Sequence, residues 1–432
     1  MDGAMELPFR GPGGGERGLI GRLRRLPLDS LAGLLDQAVI SLANLAVGFL
    51  VLRLSSQEEF GLYGLGYATI ILVNGVSNAL FASPLVVEHF RREEAARGGL
   101  AAAFVLGHGG LTLGMGALVL ATLWLAGADT ILLVTAAACP AAMTHDFSRA
   151  RRFLMARPIG ALALDLANAA LWIGLMLAGW WAGVPAYLAA LWAYALACAA
   201  TGLLGIMDSR GHFRSGLSQL APAMREAWSH GRWALGGVAV TAIQNQAHLY
   251  ILAAMKGAEA VAEVNAARLL MAPVAFVIVG LQRTLIPRLA RLHAAGQERE
   301  MRRQVRLARM AVLAANLGWT GVILAAWDFA LGSFLPQGYQ QVGLLVGAWA
   351  LVFAGQGLVA ALSAQLQATG AFRSLTLMNL ATAIPVVVAA VPLILLAGAP
   401  GSMAAMALGQ AALAVLLHRI IARKKAGAAE PA

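Results

Sequence analysis

The chain has 432 residues, of which 59% are hydrophobic and 12% are charged, and its mean hydropathy is +0.72. A water-soluble fold cannot bury so large an apolar fraction, so the composition excludes a soluble enzyme and predicts a helical membrane protein with many spans. The net charge of +11 would suggest a nucleic-acid partner in a soluble protein. The positions of the charges give a simpler explanation, and we predict no nucleic-acid partner.

Catalytic and metal-binding signatures are absent from the sequence. The two cysteines, Cys139 and Cys198, lie in apolar runs, and no Cys/His cluster exists, so we expect no metal, no disulfide and no cofactor. The motifs of nucleotide-binding loops, zinc proteases and serine hydrolases do not occur. The longest connection on the predicted outer side, Asp328 to Gln341, is too short to hold a reaction centre. We therefore predict that the protein is not an enzyme.

Twelve hydrophobic runs predict an all-α polytopic membrane protein, because most of them are long enough to cross a hydrocarbon core of about 30 Å. In chain order they are Asp29–Leu52, Leu62–Val87, Leu100–Gly127, Thr130–Phe147, Ile159–Gly183, Pro185–Met207, Trp233–Met255, Asn265–Ile286, Met310–Trp327, Val342–Ala368, Leu375–Ala397 and Met403–Ile421. Residues 1–28 lack the separate apolar core of a signal peptide, so we expect a disordered basic arm there.

The first two runs form a predicted helical hairpin with one polar side. Gln37, Ser41, Asn44 and Gly48 recur at helical spacing on the first run, so they share one face. Polar groups stacked in this way inside a lipid-length helix must face protein or water.

The residues of this hairpin resemble a known family. The pattern Leu35-Asp36-Gln37-Ala38-Val39-Ile40-Ser41, then Asn44, Arg53-Leu54, Glu59-Phe60-Gly61-Leu62-Tyr63 and Pro84, is similar to the opening hairpin of the Wzx-type polysaccharide-export flippases. These are lipid-linked oligosaccharide transporters of the MATE-like (MOP) superfamily. The resemblance implies a transporter with two helical halves around a central cavity, whose substrate is a polyprenyl-linked sugar.

Basic residues are distributed very unevenly over the loops. All but four of the 32 Lys and Arg residues fall in the arm, the tail and the connections on one side of the predicted membrane. Such an asymmetry predicts that both termini are cytoplasmic. It also explains the net charge as topology and attraction to anionic lipid.

The chain carries a faint internal repeat. A shift of 203 residues places Arg53 on Lys256 and Pro84 on Pro287, each pair at corresponding helix ends. Two parallel halves of six helices would be related by an axis along the membrane normal. The predicted division is an arm at 1–28, a first half at 29–207, a cytoplasmic linker at 208–232, a second half at 233–421 and a tail at 422–432.

Polar stripes on four runs predict a shared hydrated cavity. The candidate lining residues are Gln37, Ser41, Asn44, Tyr67, Asn74, Asn78, Gln244, Asn245, His248 and Gln356. An amide taken singly more often forms a helix–helix hydrogen bond than a ligand contact, so the prediction concerns the set.

Four cations depart from the loop pattern and are candidate contacts for an anionic substrate: Arg53, Lys256, Arg268 and Arg283. The alternative for each is an anchor at the membrane interface, and Arg268 and Arg283 were expected to lie on one continuous helix. Three further groups, Asp36, Asp165 and His248, are candidates for coupling transport to an ion gradient. The alternatives are an ion pair with Arg283 or with each other's neighbours for the two carboxylates, and a packing role for His248.

The predicted function is translocation of a polyprenyl-pyrophosphate-linked oligosaccharide across the bacterial inner membrane for surface polysaccharide synthesis. Its expected partners are that substrate, membrane lipids and the polysaccharide polymerase and export machinery. One alternative is a MATE-like antiporter for cationic drugs. Another is an integral-membrane polymerase or ligase, against which the short outer connections count.

Overall fold

Nearly every residue that the structure describes is helical. The computed structural model describes residues 28–91, 94–126, 129–155, 157–327, 335–336 and 338–427, and no strand occurs within these ranges. The predicted basic arm, the end of the predicted tail and most of the connection from Asp328 to Gln341 lie outside the described residues.

Fourteen α-helices and two short helical segments account for the described chain. They are α1 Leu28–Leu54, α2 Gln57–Ser77, a π segment Asn78–Ala82, α3 Ser83–Arg91, α4 Glu94–Ala126, α5 Thr130–Leu154, α6 Pro158–Trp181, α7 Ala186–Ile206, a 3-10 segment Met207–His212, α8 Phe213–Lys256, α9 Ala258–Leu270, α10 Ala272–Ala294, α11 Glu298–Ala325, α12 Val342–Ala368, α13 Phe372–Ala397 and α14 Ala399–Gly427.

Eleven stretches of the described chain are long and apolar enough to cross a membrane, which confirms the predicted polytopic helical class. The predicted run Trp233–Met255 is not among them, because it forms the carboxyl-terminal half of α8 and its polar stripe lowers its mean hydropathy. The predicted run Thr130–Phe147 was too short: α5 continues to Leu154, so part of the basic segment assigned to a loop is helical.

One proline lies at an interruption in the second helix of each predicted hairpin: Pro84 in the first hairpin and Pro273 in the second. Before Pro84, which has no N–H to donate, the chain adopts a π turn in which the Ser83 N–H bonds to the Asn78 carbonyl. The predicted single run Asn265–Ile286 was wrong, because the chain breaks at Met271, just before Pro273. Arg268 and Arg283 therefore lie on different helices.

The helices of the second half pack in the same pairs as those of the first. In the first half α7 packs on α5 and α6, α4 packs on α5, and α1 packs on α6. In the second half α14 packs on α12 and α13, α11 packs on α12, and α8 packs on α13. This correspondence is the one expected of two parallel six-helix units. The boundaries given above for the halves and the linker stay a prediction.

The two halves meet closely where α2 packs on α9, near the arginine-poor end of the bundle. A Cβ added at Gly61 would lie 1.9 Å from the Ala258 carbonyl oxygen, and one at Gly64 would lie 2.1 Å from the Asn265 amide nitrogen. Gly61 and Gly64 thus let the two backbones approach closely. The Gln57 side-chain amide adds a bond of 3.3 Å to a backbone carbonyl of α9.

The first part of α8 joins the halves through its small residues. Ala223 and Ala227 are buried, and α8 packs along α4 and the π segment. On the same stretch Leu217 and Trp228 are 62% and 57% exposed. Close packing against α4 selects the residues with the smallest side chains, which leaves the large ones outside.

An ion cluster ties α1, α5 and α6 together near the arginine-rich end. The Arg149 guanidinium bonds to the Asp36 carboxylate, and its Nε lies 2.7 Å from Asp165 Oδ2. The Nε2 of His145 lies 3.0 Å from Asp165 Oδ1. Both carboxylates have fully buried side chains. Arg149 provides the charge that makes their burial tolerable. The Arg283 side chain lies outside the described part of the structure, so a pairing with Arg283 stays a prediction.

The contact between α2 and α9 predicts a specific cost for a single methyl group. In Gly61→Ala the new Cβ overlaps backbone, so we expect a loss of stability of about 1–3 kcal/mol. Gly347→Ala on α12 is the matched control, because no atom lies within 4 Å of the added Cβ. Thermal unfolding of both purified variants measures the difference. Equal unfolding temperatures would contradict the close approach of these helices.

The ion cluster predicts a larger effect for loss of its cation. Arg149→Ala leaves two buried carboxylates without a counter-charge, so we expect destabilisation by about 3–5 kcal/mol in thermal unfolding. Asp36→Asn added to this variant should recover part of the loss. The control is Arg225→Ala, because Arg225 is exposed on α8. A loss no larger than that of the control would show that the cluster does not stabilise the bundle.

Candidate functional site

A cavity of about 320 Å³ lies between the two halves, beneath the contact of α2 with α9. Its walls come from α1, α2, α8, α9, α10, α12 and α14. The first helical hairpin and its counterpart in the second half therefore face each other across one space.

Five predicted polar lining residues lie on this cavity: Ser41, Asn44, Tyr67, Asn245 and Gln356. The Tyr67 hydroxyl donates to the Asn44 side-chain oxygen, which joins α2 to α1 at the wall. The Asn44 amide nitrogen donates to the Ile40 carbonyl at 2.8 Å, and Asn245 makes the equivalent bond to the Thr241 carbonyl at 2.9 Å. The Asn44 and Tyr67 side chains are thus held in place before any ligand binds.

Arg268 also lines the cavity, and it is the one charged residue among the described residues that do so. It is the eleventh residue of α9, so it lies about 15 Å along the axis from the helix start at Ala258. Within the described chain no carboxylate lies within salt-bridge distance of Arg268. Its charge is thus available to an occupant of the cavity.

Two further side-chain amides line the cavity and were not predicted from the sequence: Gln246 on α8 and Asn265 on α9. The Gln246 side-chain oxygen and the Asn265 side-chain nitrogen are buried and have no hydrogen-bond partner among the described residues. A buried polar atom without a partner is costly, so water or a ligand is expected to satisfy both. Gln246 could have been found, because it adjoins the polar stripe of α8.

Aromatic side chains were also missed as part of this site. Phe60 and Tyr63 on α2 line the cavity opposite Trp349 and Phe353 on α12. Phe60 and Tyr63 share a helix face with Tyr67, and Trp349 and Phe353 share one with Gln356. That helical spacing was a usable signal, but it is common in ordinary packing too. The cavity thus combines amide, hydroxyl and aromatic groups with one guanidinium.

Three candidates lie close to the cavity without lining it. Gln37 donates to the Ser41 hydroxyl oxygen at 3.2 Å. Gln244 donates to the Asn379 carbonyl and the Thr382 hydroxyl, both at 2.9 Å, so it braces α8 against α13. His248 is buried, and neither of its ring nitrogens has a hydrogen-bond partner in the described chain.

Two further candidates, Asn74 and Asn78, belong to a separate cleft nearer the arginine-rich end. This cleft has a volume of about 450 Å³ and is bounded by α2, the π segment, α5 and α8. Asp146 faces it, and the Asn78 side-chain oxygen accepts a bond of 2.8 Å from Ser83. The predicted single chamber is therefore two spaces at different depths.

The remaining candidate cations do not line the central cavity. Arg53 and Lys256 are exposed in the last turns of α1 and α8, at corresponding places in the two hairpins. Arg283 lies on α10, and its side chain is outside the described part of the structure. A contact of these residues with substrate stays a prediction.

The three coupling candidates do not form one group. Asp36 and Asp165 belong to the ion cluster of Arg149, whereas His248 lies on α8. His145 adds a titratable group to the cluster, and its Nδ1 lies 2.8 Å from the Thr201 hydroxyl. Neither Arg149 nor His145 was predicted as a site residue, because Arg149 falls in the basic segment assigned to a loop and His145 lies at the margin of that segment. Within the described chain no group of three His, Cys, Asp or Glu residues could hold a metal ion.

The arrangement is suited to binding rather than to covalent chemistry. A planar guanidinium can form paired hydrogen bonds with a phosphate, and amides can replace the water around sugar hydroxyls. The described cavity wall carries no carboxylate that would attract a cation.

Comparison with known proteins agrees with the fold. Residues 158–293 match a family model described as polysaccharide biosynthesis protein. No curated protein matches the chain significantly.

Solved structures align over most of the chain. A multidrug resistance MATE family transporter of the MOP superfamily, in an inward-facing conformation, aligns with a TM-score of 0.71 at 14% identity, covering 91% of this chain and 99% of that one. The lipid II flippase MurJ, in an inward closed conformation, aligns with a TM-score of 0.68 at 11% identity, covering 91% and 87%. A MOP superfamily transporter from Pyrococcus furiosus, described as having a binding pocket of reverse polarity, aligns with a TM-score of 0.62 at 14% identity, covering 90% and 92%.

These matches confirm the predicted MATE-like architecture. The family model covers about a third of the chain and supports the resemblance to polysaccharide flippases. The chain is therefore a multi-pass membrane protein with the fold of MOP superfamily transporters, and it carries a segment similar to polysaccharide biosynthesis proteins.

Proposed function

We propose that the protein is a flippase for a polyprenyl-pyrophosphate-linked oligosaccharide, which it moves between the leaflets of the bacterial inner membrane without chemical change. The observation that carries this proposal is Arg268, a guanidinium in a cavity between the two halves whose described lining holds no carboxylate. A charge inside a membrane protein is costly unless it is hydrated or paired, so the site favours an anionic occupant.

The sign of the cavity charge separates this proposal from a cation antiporter. A carboxylate in the binding site would favour a cationic substrate, because it supplies the opposite charge. Of the described residues on the cavity wall, none is Asp or Glu. Arg268 would also repel a cation directly, which argues against the drug antiporter.

The aromatic and amide groups suit a sugar next to the phosphates. Sugar hydroxyls need hydrogen-bond partners away from water, because an unpaired hydroxyl in an apolar medium costs several kcal/mol. Gln246 and Asn265 each present an unpaired polar atom, and Trp349 offers an aromatic face. A volume of about 320 Å³ is at the small end for ligand sites. We therefore assign it to the pyrophosphate and the first sugar.

Transport requires the cavity to open to each leaflet in turn. Rocking of the two halves about the contact of α2 with α9 would do this, and both termini would face the cytoplasm in the orientation that the basic residues favour. Asp36, Asp165 and His248 are the groups through which we propose coupling to an ion gradient. A polysaccharide polymerase and export proteins would take up the product on the outer side.

Arg268 provides the direct test of the proposal. Arg268→Ala should reduce translocation of a lipid-linked oligosaccharide in proteoliposomes by roughly tenfold or more, because hydrogen bonds to charged groups contribute about 1.5–3 kcal/mol. Arg268→Lys should recover part of the activity, since it keeps the charge but not the planar fork. Arg225→Ala is the matched control, because Arg225 is an exposed arginine of α8 and is not among the candidate substrate contacts.

Translocation that is equal in Arg268→Ala and in the wild-type protein would contradict the proposal. Export of a cationic drug by the wild-type protein would favour the antiporter instead. Longer glycan chains made by the purified protein would favour the polymerase.

A further inference from the structure

Two apolar grooves run side by side where α9 meets α10. The first has a volume of about 370 Å³ and lies between α1, α9 and α11, and the second has about 390 Å³ and lies between α10 and α11. Pro273, Trp319 and Val322 line both of them. The two therefore form one continuous channel, which we call the kink groove.

The break in the helix creates this groove. Pro273 has no N–H, and the Val274 N–H bonds to the Met271 carbonyl at 3.1 Å, which leaves the Leu270 carbonyl free at the break. The indole of Trp319 donates to that carbonyl at 2.9 Å. The Trp319 ring is thus fixed across the groove, and its one polar atom is satisfied. The lining of the groove is otherwise hydrocarbon.

The inner end of the groove meets the central cavity. Leu45 on α1 and Leu269 on α9 line both spaces. Arg268, the residue next to Leu269, lines the polar cavity. Along this short piece of α9 a guanidinium and an apolar surface adjoin each other, which matches a molecule with a charged head and an apolar tail.

The outer end of the groove opens to the surface of the bundle. Val277 on α10 and Val322 on α11 line it and are 43% and 54% exposed. The part of α11 that lines the groove runs from Ala315 to Ala326, a rise of about 17 Å. This is roughly half of the hydrocarbon core. An apolar chain can therefore pass from the bilayer to the edge of the cavity without crossing polar groups.

We propose that the kink groove holds the isoprenoid chain of the substrate while its phosphate lies at Arg268. The proposal rests on the proposed function, and it names which helices receive the tail. The substrate chain is favoured over a bilayer phospholipid because the groove leads into the cavity, so a bound tail belongs to the molecule whose head is translocated. Tethering of the tail on α10 and α11 keeps the head near Arg268 while the halves move.

The test uses the full-length protein in lipid nanodiscs and a polyprenyl phosphate with a photoreactive diazirine in the isoprene units next to the phosphate. We expect adducts on peptides from 269–277 and 315–326, mapped by mass spectrometry. Gly318→Phe should lose this labelling, because Gly318 lines the groove and no atom lies within 4 Å of an added Cβ. Gly321→Phe is the matched control: Gly321 is exposed on the same helix, has equal space and does not line the groove.

Labelling that is equal in the wild-type protein and in Gly318→Phe would overturn the kink groove as the tail site. A photoreactive phosphatidylcholine provides the second comparison. If it labelled these peptides as strongly as the polyprenyl phosphate does, and lost its labelling in Gly318→Phe, the groove would be a general lipid site and the inference would be overturned. The readout does not depend on transport. A flippase that needs Arg268 but gives no groove labelling would refute this inference alone, and groove labelling in a protein that moves no sugar lipid would refute the proposed function.

Discussion

An arginine inside a membrane must be paired or hydrated, and this constraint organises the structure. Arg149 and Arg268 meet it in opposite ways. Arg149 lies between the buried carboxylates of Asp36 and Asp165, so its charge is neutralised within the first half. Arg268 lines a cavity whose described residues include no carboxylate. The first arrangement makes a rigid joint between α1, α5 and α6, and the second leaves a positive charge in a space that a substrate can enter.

The cavity depends on where the two halves touch and where they do not. Gly61 and Gly64 bring α2 against α9 at the arginine-poor end, and the helix is interrupted at Met271 between α9 and α10. Residues on both sides of this break, Arg268 and Ala272 among them, line the cavity. The same break produces the kink groove, because the Val274 N–H bonds to the Met271 carbonyl and the Leu270 carbonyl then accepts a hydrogen bond from the Trp319 indole. One local feature of the backbone therefore shapes both the polar and the apolar part of the candidate site.

Sequence patterns predicted the helical membrane class, the approximate helix count and five of the polar residues that line the cavity. One-sided stripes such as Ser41 and Asn44 are informative because lipid tolerates no unpaired polar group. Distant pairings were not predictable: Asp36 and Arg149 are 113 residues apart, and nothing local shows that they meet. Hydropathy also failed at charged helix ends, since Arg149 lies on α5 rather than in a loop. Gln244 shows a further limit of sequence patterns. It lies on α8, which lines the cavity, but its side chain bonds to α13 instead of facing the cavity.

The central claim is that the space around Arg268 is hydrated and is occupied by the substrate. The most direct measurement is the reactivity of Gln246→Cys with a charged, membrane-impermeant thiol reagent, because Gln246 lines the cavity and both native cysteines are buried. We expect labelling in the purified protein and protection by a pyrophosphate-linked oligosaccharide lipid, but not by the same lipid without its head group. A thiol that is never labelled, or one that the sugar lipid fails to protect, would contradict the account.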